Sequence, residues 1–210
     1  MGESSKVGIS ASKVVALIGT LVLIKMCVDF FLTGFWLAIL LGIVGLLIAF
    51  VVFDSLEIID FKKLKIPYIW WVLLIIGILL LLLEFVVSIY SSYSTTFLAG
   101  ILVITAAILE ILSQKKSYTA SKIVALIGAC YLIYESIMFI LGGSVISITQ
   151  AIIGIILAII LLLTLYDKID IKIPYAWWVV LIIGFVIFSW ITPISGTIIM
   201  VAFILLLMAY

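Results

Sequence analysis

Residues 66–89 read IPYIWWVLLIIGILLLLLEFVVSI, an apolar run interrupted by one charge, Glu84. A helix needs about 20 mostly apolar residues to cross a hydrocarbon core about 30 Å thick, and this run is long enough. Seven further runs of the same kind cover 12–32, 35–53, 95–112, 122–141, 145–166, 173–191 and 194–210. The whole chain agrees: it is 68% hydrophobic and 10% charged, with a mean hydropathy of +1.60. A soluble domain is about half apolar and about a quarter charged, so a soluble globular protein is excluded. The expected fold class is an all-α integral membrane protein with eight transmembrane helices.

The charges order these spans. Ten of the eleven lysines (Lys6, Lys13, Lys62, Lys63, Lys65, Lys115, Lys116, Lys122, Lys168 and Lys172) fall at the N-terminus or after spans two, four and six. The connections at the opposite ends carry no charge. Excess lysine in short loops marks the cytoplasmic side, so both termini are expected in the cytoplasm of a multi-pass cell-membrane protein. Trp70, Trp71, Trp177 and Trp178 then form the inner aromatic belt, with Trp36, Tyr90, Tyr93 and Trp190 at the outer face. Pro67 and Pro174 are expected in the first turns of their helices. Asp54 and Glu57 resemble a capping box opening a short interfacial helix over 54–64. Cys27 and Cys130 lie within spans at different depths, which argues against a disulfide.

The quoted run also contains a repeat. Ile66-Pro67-Tyr68-Ile69-Trp70-Trp71 returns as Ile173-Pro174-Tyr175-Ala176-Trp177-Trp178. The stretch from Ser10 to Gly19, SASKVVALIG, returns from Thr119 to Gly128 as TASKIVALIG. Two motifs recurring in order imply duplicated halves, 1–112 and 122–210, joined by a linker over 113–121. Each half holds four spans, so both enter the membrane from the same side and the repeat is parallel. A finer repeat places Gly19, Gly77, Gly128 and Gly184 six residues after Lys13, Trp71, Lys122 and Trp178, suggesting four hairpins. Ser12, Ala16 and Gly19, matched by Ser121, Ala125 and Gly128, supply small residues for close helix packing. Spans one and five are therefore expected at the centre of the bundle.

Four charges lie too deep for loops: Lys25, Asp29, Glu84 and Glu135. Glu84 and Glu135 each follow a repeat glycine by seven residues and share its helix face. A charge at this depth costs about 2.5–3.5 kcal/mol on the mildest scales, so each needs a partner or must be neutral. Lys25 has a local partner in Asp29 and a long-range one in Glu135. Glu84 then remains and is expected to carry its proton. Glu110, near the end of its span, is expected to snorkel toward Lys115.

No His, Arg or Asn occurs, and no phosphate loop, metal-ligand spacing or nucleophile motif appears. No catalytic residue, metal or cofactor is expected, and the net charge of +1 offers nothing to nucleic acid. All-lysine basicity and abundant Ile suit a prokaryotic source. The expected function is that of an accessory or self-assembling structural subunit. Its partners are membrane lipids, further copies of itself, or other subunits of a membrane complex. The alternative is a small proton- or cation-coupled transporter or channel using the Lys25, Asp29, Glu84 and Glu135 layer. A dry layer favours the first reading and a water-accessible one the second.

Overall fold

A computed structural model describes residues 10–56, 67–90, 97–113, 119–165 and 175–209. Among them the regular structure is helical throughout: α1 Ala11–Leu32, α2 Trp36–Ser55, α3 Trp70–Tyr90, α4 Leu98–Ser113, α5 Ala120–Leu141, α6 Val145–Leu165, α7 Trp177–Trp190 and α8 Pro193–Met208. Helices α1, α2, α3, α5 and α6 are long and apolar enough to cross a membrane. The other three are equally apolar but shorter, with 16, 14 and 16 residues in α4, α7 and α8. At 1.5 Å per residue these span about 21–24 Å, less than a hydrocarbon core.

Local chemistry explains the boundaries. Ser10 caps α1, its hydroxyl accepting from the Lys13 N–H at 3.3 Å. The α1–α2 and α5–α6 turns pass through Gly34 (φ 68°) and Gly143 (φ 73°), left-handed positions where a Cβ would be strained. Two expectations are corrected. Pro67 precedes α3 instead of opening it, because the helix begins only at Trp70. Asp54 lies in the last turn of α2, inside a helix and not ahead of one. The rest of the expected interfacial helix, and Pro174, lie outside the described residues.

The chain divides into two compact units, Met1–Ser117 and Tyr118–Tyr210. In the first, α1 packs against α2 and α4, α4 packs also against α3, and α2 meets α3 over a short stretch. Ser12, Ala16, Gly19 and Thr20 are all buried, so the small-residue stripe faces protein and not lipid. A second stripe runs along α2 through Ala38, Gly42, Gly45 and Ala49. A Cβ on Gly45 would stand 2.5 Å from Cys27 Sγ, and one on Gly77 2.5 Å from Ile104 Cγ1. In lipid, where burial of apolar surface gives no drive between helices, such close approach supplies the attraction. The opposite face of α2, with Leu40, Leu47 and Phe50, is exposed.

In the second unit α5 packs against α6 and α8, α8 packs also against α7, and α6 meets α7 briefly. Ser121, Ala125, Gly128 and Ala129 are buried on α5, and Ala151, Gly154 and Ala158 on α6. A Cβ on Gly128 would press on Ile199 and Ile198, one on Gly154 on Ser136 Oγ, and one on Gly184 on Ile199 and Met200. Within each unit the inner place is shared by the first and fourth helices, not held by the first alone. Trp71, Trp177 and Trp178 are exposed near the starts of α3 and α7, with Trp36 and Trp190 exposed at opposite helix ends. Trp70, beside Trp71, is half-buried.

Gly196 makes the tightest contact of α8, since a Cβ there would collide with the backbone N and Cα of Phe188 on α7. Backbone cannot rotate away as a side chain can. Gly196→Ala is expected to destabilise the protein by about 1–3 kcal/mol, read as a lower unfolding midpoint in detergent.

Candidate functional site

Glu84 stands on α3 about 21 Å along the helix from Trp70, on the same face as Gly77. Gly77 lets α4 approach closely: a Cβ there would lie 3.1 Å from Ile104 N and 3.4 Å from Gly100 O. Glu84 therefore meets the start of α4. Its side chain is fully buried, and its carboxyl faces the backbone N–H groups of Phe97 and Gly100. Phe97, the residue before the helix, has a left-handed backbone (φ 53°). That conformation costs a residue with a Cβ about 1–2 kcal/mol, and the carboxyl at the Phe97 amide offsets it.

Glu135 stands on α5 in the corresponding relation to Gly128 and reaches the start of α8. The Thr192 hydroxyl donates to Glu135 Oε2 at 2.7 Å, and the Ser195 hydroxyl donates to the same oxygen. Thr192 Oγ1 also accepts from the N–H groups of Ile194 and Ser195, at 3.2 and 3.3 Å. The orphan amides of the first turn are thus passed through a hydroxyl to a carboxylate. Nearby, Gln150 Nε2 donates to the Trp190 carbonyl at 3.0 Å, tying α6 to the end of α7. In each unit the acid addresses two positions: the residue before the fourth helix and the third residue within it. Unit one presents backbone amides there, and unit two presents hydroxyls.

Lys25 Nζ binds Asp29 Oδ2 at 2.6 Å, the local pairing of the two expected. Its side chain is 77% exposed, whereas Glu84 in the same unit is fully buried, so the two occupy different surroundings.

A polar cluster lies at the other end of the first unit. Ser12 Oγ donates to Glu110 Oε2 at 2.5 Å and lies 2.9 Å from Tyr68 Oη, while Lys13 Nζ stands 5.6 Å from the Tyr68 ring centroid. Glu110 is half-buried and held by α1, and Lys115, toward which it is expected to snorkel, lies outside the described residues. Sequence reasoning missed these contacts because they join residues up to 98 positions apart. The readable signal was register. Ser12 precedes Gly19 by seven residues and Glu110 follows Val103 by seven, and Gly19 faces Val103 across antiparallel helices.

The described residues gather no group of three or more His, Cys, Asp and Glu suited to a metal. Comparison with known protein families, with curated proteins and with solved structures returns no match.

Thr192 serves α8 twice, as amide acceptor and as donor to Glu135. Thr192→Ala is expected to cost about 1–3 kcal/mol in detergent unfolding, and Thr192→Ser to recover most of it. Equal losses in both variants would place the contribution in the methyl group instead.

Proposed function

We propose that this protein is a membrane-embedded packing protein: an accessory or self-assembling subunit that works through helix–helix and lipid contacts, without catalytic chemistry. The observation that carries this reading is the placement of the deep acids. Glu84 and Glu135 are both aimed at the opening turns of short apolar helices, and Glu84 is sealed from solvent. An acid so engaged holds a helix start in place, and a dry acid is a poor carrier. The small-residue seams and exposed apolar outer faces fit the same role.

The proposal includes the finer architecture. The chain is a parallel duplication, with α1–α4 and α5–α8 as equivalent sets of four. The matching helix neighbours and glycine contacts within each unit support it. All eight helices cross the membrane. Both termini face the cytoplasm, on the lysine distribution. One observation favours the transport reading: Glu135 is only half-buried and accepts from the hydroxyls of Thr192 and Ser195, whose protons are exchangeable.

Ion flux into liposomes containing the purified protein, under imposed pH and cation gradients, separates the two. The expected result is no flux above empty liposomes, with Glu84→Gln and Glu135→Gln changing only thermal stability. Flux that either variant abolishes would make the acids carriers and overturn the packing reading.

A further inference from the structure

The polar cluster at the start of α1 has an incomplete counterpart at the start of α5. Ser121, Lys122 and Tyr175 stand where the first unit has Ser12, Lys13 and Tyr68, and Lys122 Nζ lies 5.9 Å from the Tyr175 ring centroid. Among the described residues the missing member is the acid. Gly19 packs on Leu102 and Val103, and Gly128 on Ile198 and Ile199, with the backbone N of Val103 and of Ile199 in the matching place. Seven residues back along the first helix and seven forward from Val103 or Ile199 along the fourth lead to Ser12 with Glu110, and to Ser121 with Leu206. Leu206 is buried and has no acceptor to give.

The donors remain. Ser121 is 2% exposed, and its hydroxyl faces that of Tyr175. Neither oxygen makes a hydrogen bond of ordinary geometry among the described residues. The Thr119 side chain does not cap α5, so the opening amides of that helix receive no side-chain acceptor from it. Two hydroxyl donors, a lysine ammonium and a helix N-terminus all favour one kind of ligand.

We propose that this corner of the second unit binds an anionic oxygen group, a phosphate or carboxylate, which does for Ser121 and Tyr175 what Glu110 does for Ser12. One source is the head group of an anionic lipid, since the exposed Trp177 and Trp178 set this helix end at head-group depth. The other is a free anion. The first unit needs neither, because its own chain supplies the carboxylate.

The full-length protein in detergent is tested by native mass spectrometry and thermal shift against phosphatidylglycerol, phosphatidylcholine and inorganic phosphate. Wild type is expected to retain one phosphatidylglycerol and no phosphatidylcholine. The double variant Ser121→Ala/Tyr175→Phe is expected to bind at least about ten-fold more weakly. Leu206→Glu, which supplies the missing acid, is expected to abolish binding. Glu110→Leu is expected to open the matching site in the first unit and raise the stoichiometry from one to two. Competition by inorganic phosphate assigns the site to free anions, and its failure to compete assigns it to lipid. The proposal is overturned if wild type binds neither phosphatidylglycerol nor phosphate, or if the double variant binds as wild type does. That double variant is close to isosteric, so it decides the matter even if Leu206→Glu fails to fold.

Discussion

A helix that begins inside hydrocarbon exposes N–H groups that no water can reach, each costing several kcal/mol if left unmet. Helices α4 and α8 begin beside Glu84 and Glu135, about 9 Å short of the far ends of α3 and α5. Each acid stands against that opening turn. The glycines bring the fourth helix close enough, and the acid stands on the face those glycines open. The residue before the fourth helix and the third residue within it supply the donors. Remove the approach of α4 to α3 and Glu84 is a bare acid in lipid; remove Glu84 and the strained turn at Phe97 loses its counterpart.

The two units meet this constraint with different chemistry. Phe97 and Gly100 offer backbone amides, whereas Thr192 and Ser195 interpose hydroxyls. A hydroxyl both accepts and donates, so Thr192 settles the backbone and the carboxylate together. The same divergence recurs at the opposite end, where Glu110 closes the network of Ser12 and its counterpart position holds Leu206. Read as a duplication, the chain has kept its packing positions and varied its polar ones. Packing in lipid depends on close contact along whole helices, while a polar partner can be replaced singly.

These arrangements also bear on what an intramembrane acid means. Ionisable residues at depth are a reasonable sign of transport. Here the sign is weakened by direction, since the carboxyls address helix starts within their own units. The Lys25–Asp29 pair is a separate matter, an i, i+4 contact along one helix face.

Much of this was legible in the residues. Membrane embedding, the positions of the helices and the burial of Ser12, Ala16, Ser121 and Ala125 follow from sequence, because in lipid each helix must satisfy its own backbone and carry its own apolar surface. Those requirements are local, so a window of about 20 residues contains them. The start of α3 after Pro67, the continuation of α2 through Asp54 and the engagement of Glu110 were not legible. Nor were the partners of Glu84 and Glu135. The hydroxyls that serve Glu135 stand 57 and 60 residues away, on a helix whose register is set by glycine contacts. Which acid meets which donor depends on how closely two helices pack and where one of them begins, and only the tertiary structure decides both.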